Sequence, residues 1–116
     1  MNREALEQAG VDYAAGLQHF AGKEELYRKY LLRFREDTHV KEAQAALEKE
    51  DYKEVLEQIH ALKGLCGTLG FSPLFVRTSG MVADLRRGDH RDLSSRLSEL
   101  EREQEDLLNV IERSVF

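Results

Sequence analysis

His60-Ala61-Leu62-Lys63-Gly64-Leu65-Cys66-Gly67-Thr68-Leu69-Gly70 is the stretch on which the reading of this chain turns. At 100° per residue, positions 52, 55, 59, 62, 66 and 69 form one apolar stripe, so the stretch is the second half of an amphipathic helix. Gly64 and Gly67 fall inside it, although an interior helix glycine costs about 1 kcal/mol relative to alanine. His60 points roughly 130° from the centre of the stripe and is expected to face solvent. Gly64 and Gly67 lie one and two turns further along the histidine's own face. Lys63 is its i+3 neighbour and Leu56 its i−4 neighbour. An exposed imidazole with a cation, an apolar spot and a glycine floor beside it implies that something large approaches the histidine closely.

Working outward, Asp51 followed by Glu54 reads as a capping box that opens this helix, and Gly70 as its stop. Ser72-Pro73 starts the next helix, with serine as N-cap and proline at the first helical position. That helix carries Leu74, Phe75, Met81, Val82 and Leu85 and ends near Gly88. Asp89 or Asp92 opens the last helix, where Leu93, Leu97, Leu100, Leu107 and Ile111 form a seam on a 3.5-residue repeat. Upstream, Leu26, Tyr27, Tyr30, Leu31 and Phe34 recur at helical spacing from Lys23 onward. The stripe fades through Glu36-Asp37-Thr38-His39 and resumes on a rotated face at Val40, Ala43 and Leu47. With no Gly or Pro between, one long bent helix is expected. Two short helices precede it, one around Ala5 and Leu6, the other after Asp12 with Tyr13, Leu17 and Phe20. Short connections make antiparallel neighbours. The sum is an all-α chain, an antiparallel up-down four-helix bundle over 22–116 with an N-terminal helical cap over 1–21, together one domain spanning 1–116.

Composition supports this class. Hydrophobic residues are 41% and charged residues 34%, with one proline and eight glycines, which favours a few long elements. A net charge of −5 with acids and bases interspersed disfavours a nucleic-acid ligand, which needs a basic stripe. No apolar run approaches membrane-spanning length, and no signal-peptide pattern opens the chain, so no direct membrane contact is expected. The single cysteine, Cys66, has no internal disulfide partner, and a reducing, cytoplasmic setting is the expectation.

Imidazole nitrogen is a nucleophile near neutral pH. A lysine ammonium beside it can offset charge on a phosphoryl group placed on the ring. Bare glycines leave room for the in-line geometry that phosphoryl transfer requires. The residues His60, Leu62, Lys63, Gly64, Leu69 and Gly70 match the pattern His-x-Leu-Lys-Gly, four residues, an aliphatic or aromatic residue and Gly. In this the chain resembles the histidine-containing phosphotransfer (HPt) domain of two-component phosphorelays. The likeness extends upstream through Gly10-Val11-Asp12, Leu17, Gly22 to Tyr27, Leu31, Phe34, Ala46-Leu47 and Asp51-Tyr52, and downstream to Arg87-Gly88-Asp89. Many relatives carry Leu-Glu in the third helix, where this chain reads Asp84-Leu85.

The resemblance implies a four-helix bundle whose His60 accepts a phosphoryl group from a receiver-domain aspartate and passes it to another response-regulator receiver. It implies a phosphocarrier and not an enzyme, without ATP binding, cofactor or metal of its own. Lys63 would stabilise phosphoryl charge, and Leu56, Gly64 and Gly67 would form the docking face. Receiver domains are the implied partners, a hybrid sensor histidine kinase among the sources. Gly67-Thr68-Leu69-Gly70-Phe71 is also similar to the histidine module of chemotaxis-type kinases, where an ATP-using domain supplies the phosphoryl group. A further alternative is an interaction module that binds receivers and transfers nothing.

Other features read more plainly. Glu57-x-x-His60 and Glu36-x-x-His39 match the Glu-x-x-His element of di-iron bundles, but they sit off the apolar stripe, and no metal site is expected. Cys66 lies on the core stripe and reads as a buried structural thiol. Arg86-Arg87 and Lys63 are too sparse for a nucleic-acid site. The leucine seam reads as bundle core. His19, His39 and His90 show no partner pattern.

Overall fold

Helix ends are decided locally by side chains that satisfy free backbone N–H groups, and this chain uses that device at several helix starts. In the computed structural model, which describes residues 2–115, Asn2 accepts from Ala5 N–H, Asp12 from Ala15 N–H and Asp51 from Glu54 N–H. These caps open α1 (Arg3–Gln8), α2 (Tyr13–His19) and α5 (Tyr52–Leu69). The remaining helices are α3 (Glu24–Arg33), α4 (His39–Glu48), α6 (Ser72–Arg86) and α7 (Leu93–Val115). Among the described residues there is no strand, only an isolated bridge between Val11 and Phe71. Both ends of the expected 1–116 unit, Met1 and Phe116, lie outside the described residues.

Half of the expected capping box at α5 forms. Asp51 caps the Glu54 N–H at 3.1 Å, but the Glu54 carboxylate accepts from Gln58 Nε2 at 2.8 Å. The Asp51 N–H donates instead to the Ala46 carbonyl at 2.9 Å. Helix α6 begins one residue earlier than its sequence signal, with Phe71 at the N-cap and Ser72 and Pro73 in the first turn. At α7, Asp92 and not Asp89 immediately precedes the first helical residue, and its carbonyl accepts from Arg96 N–H at 2.9 Å.

The expectation of one long bent helix from Lys23 to Leu47 is corrected. After α3 a single 3-10 turn, Phe34–Glu36, leads to Asp37, whose backbone is extended (φ −69°, ψ 135°). The Asp37 carboxylate accepts from the His39 N–H at 3.1 Å, and its other oxygen lies 2.5 Å from His39 Nδ1. A short acidic side chain thus offers the backbone an alternative to the helix ladder, and no glycine or proline is needed to break it. The two pieces still act as one leg. Tyr27 of α3 donates its buried hydroxyl to the Leu69 carbonyl at the C-terminus of α5, 2.7 Å away. A short turn joins α4 to the N-terminus of α5.

The bundle follows from which faces are apolar. Helix α5 packs between α4 and α6, and α7 packs against α3, α4 and α6. Val55, Ile59, Leu62, Cys66 and Leu69 of α5 are buried in one core with Leu31, Ala43, Met81, Leu85 and the seam of α7. Every residue of that seam, Leu93, Leu97, Leu100, Leu107 and Ile111, is buried, so it is core as its spacing predicts. Ion pairs tie α6 to α7 on the outside. Arg77 holds Glu103 through two hydrogen bonds, at 2.8 and 2.6 Å, and Arg96 reaches Asp84 at 2.9 Å. Asp84 therefore serves as an inter-helix contact.

Helices α1 and α2 close the end of the bundle where α5 stops. The Asn2 N–H donates to the Ser114 carbonyl at 2.7 Å, and the Asp12 N–H to the Gly70 carbonyl at 2.7 Å. This last contact depends on glycine. Gly70 has φ +83°, in the left-handed region, and a Cβ there would overlap the Asp12 carbonyl. Gly70→Ala is expected to lose at least about 2 kcal/mol of stability, combining left-handed strain with overpacking. Gly80→Ala, in the interior of α6 with open space around the added methyl, is expected to gain about 0.5–1 kcal/mol. Urea unfolding of the two variants checks both signs. Tyr27→Phe leaves the buried Leu69 carbonyl without its donor, and the same measurement should show a loss of about 1–3 kcal/mol.

Candidate functional site

The outer face of α5 carries the residues singled out from sequence, and the geometry brings them together on one helix. His60 is exposed, with Val55, Ile59, Leu62 and Cys66 buried on the opposite side of the same helix. Leu56 and Lys63 are half-buried on the flank that faces α6. Among the described residues no hydrogen bond or ion pair engages the His60 ring, so both nitrogens are available. At Gly64 a Cβ would meet nothing within 4 Å, so the backbone one turn beyond the histidine lies open. The Thr68 hydroxyl donates back to the Gly64 carbonyl at 3.1 Å, which keeps that side chain folded along the helix.

Gly67 differs from Gly64. The ring of Phe75, one turn into α6, lies across it, and a Cβ at 67 would come within 3.3 Å of Phe75 Cε2. The expected bare floor is therefore open at 64 and occupied by a ring at 67. The same ring has the Lys63 ammonium 5.9 Å from its centroid. Phe75 is 39% exposed and its neighbour Val76 is 71% exposed, an apolar patch beside the histidine helix.

Sequence reading named Phe75 among the apolar residues that α6 carries and did not place it on this surface. The buried stripe of α6 is Leu74, Thr78, Met81, Val82 and Leu85, and Phe75 lies roughly 80° from its centre. That offset was available as a signal. The pairing with Gly67 was not, because it depends on how α5 and α6 align across the Gly70 turn.

The three histidines without a pattern each have a partner. His19, in the last turn of α2, places Nδ1 2.9 Å from the Thr68 carbonyl, beside the C-terminal end of α5. His39 bonds Asp37 at the break between α3 and α4. His90 stacks on Tyr52 at 3.7 Å with the rings 5° from parallel, pinning the α6–α7 connection to the start of α5. Neither Glu-x-x-His element gathers further ligands. Among the described residues no group of three or more His, Cys, Asp or Glu side chains is placed to hold a metal ion. No helix among them is long and apolar enough to cross a membrane.

Cys66 lies on the buried side of the same helix. Burial pushes its thiol up to about 12, with Asp37 adding to the shift. It is a small core residue here, as its place on the apolar stripe predicts.

A family model described as "Hpt domain" matches residues 29–113, which takes in the second half of α3, the whole of α4, α5 and α6, and nearly all of α7. Comparison with curated proteins and with solved structures found no match. The matched span is most of the chain, and the helical bundle built around α5 is the architecture that such domains adopt. The chain therefore belongs to the Hpt domain family, the histidine phosphocarriers of two-component phosphorelays, which interact with response-regulator receivers and kinases.

Proposed function

We propose that His60 is the phosphorylated residue, and that it takes its phosphoryl group from the aspartyl phosphate of one receiver domain and delivers it to the aspartate of another. The observation that carries this reading is an unpartnered, exposed imidazole one turn from the open backbone of Gly64. In the forward step an imidazole nitrogen attacks phosphorus in line with the departing carboxylate oxygen. The N–P bond forms, the P–O bond to the aspartate breaks, and the ring proton is released to water. The second step is the reverse on a different carboxylate. Magnesium in either step belongs to the receiver.

The chain contributes position and charge. Lys63, one turn along from His60, sets a cation beside the transferred group as negative charge is redistributed. Gly64 lets the receiver's loops come down to the helix backbone. Leu56, Gly67 with the ring that covers it, and the exposed Phe75 and Val76 supply apolar contact on the α6 side. Such a surface suits a small, transient interface, since a carrier must release each partner to reach the next. Receiver domains are cytoplasmic modules, and the proposal places this chain with them.

Incubation with a phosphorylated receiver is the direct test. Wild-type chain should gain an acid-labile, base-stable label, and His60→Gln should gain none. Label persisting on the Gln variant, or a complex that forms without label on wild type, would sink the assignment. Gly64→Ala separates docking from folding. Nothing crowds the added methyl, so stability should rise by about 0.5–1 kcal/mol, whereas transfer should slow because the methyl stands where a partner's loop must sit. Gly80→Ala, equally uncrowded but on α6, should gain stability with transfer unchanged. Equal transfer rates for the two alanine variants would remove Gly64 from the docking face.

A further inference from the structure

We propose that Phe75 is a positioning residue for phosphoryl transfer, holding the Lys63 ammonium beside His60 with the face of its ring, and that Gly67 is the seat that lets the ring lie low enough to do so. The inference rests on the assignment of His60 as the phosphoryl carrier. It starts from two independent contacts of one side chain. The ring edge sits against the bare Cα of Gly67, where even a methyl would approach Cε2 to 3.3 Å. The Lys63 Nζ lies 5.9 Å from the ring centroid, within the range over which an aromatic face attracts a cation.

Two features give this arrangement a purpose beyond packing. A lysine on a helix surface has a four-carbon stem and many rotamers, and only some bring the ammonium near a residue one turn away. The ring restricts that set. Among the described residues no Asp or Glu forms an ion pair with Lys63, whose ammonium lies over the Phe75 ring. A carboxylate would hold the ammonium equally well but would neutralise it. An aromatic face holds it through the ring quadrupole and leaves its full charge for the incoming phosphoryl group. Phe75 is also 39% exposed, more than a core aromatic should be, and it stands on the edge of the buried stripe of α6.

The test has a spectroscopic arm and a kinetic arm. In wild-type chain the ε-methylene protons of Lys63 should show an upfield ring-current shift, lost in Phe75→Leu and kept in Phe75→Tyr. With a phosphorylated receiver as donor, Phe75→Leu should slow labelling of His60 about two- to fivefold, the range expected for one exposed cation–π contact. Phe75→Tyr should restore the rate. In a Lys63→Ala background, Phe75→Leu should slow labelling by a clearly smaller factor, since only the ring's docking contact is then left to lose. The inference is overturned if the Lys63 shift is absent from wild type, if Phe75→Leu transfers at the wild-type rate, or if it slows Lys63→Ala by the same factor. That last outcome would make Phe75 a docking contact alone. If Phe75→Leu fails to fold, the wild-type spectrum and the Phe75→Tyr rate decide the matter. Failure of wild type to take label at all would bring down the His60 assignment and this inference together. Normal labelling of wild type with an indifferent Phe75→Leu would bring down only the inference.

Discussion

One helix must satisfy opposite demands on its two sides, and the rest of the chain is arranged so that α5 can. Its inner side is buried completely between α4 and α6, with Ile59, Leu62 and Cys66 inaccessible to solvent. Its outer side carries an imidazole and bare backbone, which contribute nothing to burial. A helix with an unproductive face and two interior glycines is intrinsically weak, because propensity and packing both fall short on that side. Its neighbours supply the compensation. Asp51 caps one end, and the other is clamped by Gly70, by the Tyr27 hydroxyl on the Leu69 carbonyl and by α2 packed across the terminus.

The electrostatic layout follows the same division. The ion pairs that lock helices together lie on the α6–α7 side, where Arg77 meets Glu99 and Glu103 and Asp84 meets Arg96. They are half exposed and each contributes little alone, but they draw the acidic side chains of α7 toward partners. Lys63 on α5 meets an aromatic ring instead. A chain with net charge −5 thus keeps an uncompensated cation next to the histidine.

Much of this was legible in the residues. The apolar stripe of α5 placed His60 on the outside, Asp51 and Gly70 marked the helix ends, and the 3.5-residue seam of α7 identified the core of the last leg. These signals are local, each settled within a turn or two of its own helix, and so they survive folding unchanged. Two features were not legible, for different reasons. The break at Asp37 depends on one carboxylate finding the His39 N–H and ring, an event that glycine and proline counting does not register. The role of Phe75 depends on the alignment of two helices across a turn. Residues 67 and 75 are ordinary until α6 folds back and sets one against the other. Sequence patterns report which face of a helix is apolar. They do not report which residue of the next helix will arrive opposite a given gap.

The burial of Cys66 bears on how such a carrier survives in a changing redox environment. Oxidants and electrophiles react with thiolate, and a thiol whose pKa burial pushes well up presents very little of it at neutral pH. Peroxide or a reactive aldehyde reaching this protein would thus find the sulfur silent, on the opposite side of the helix from the exposed imidazole of His60. The bundle keeps chemistry on one side of α5 by making the other side chemically inert.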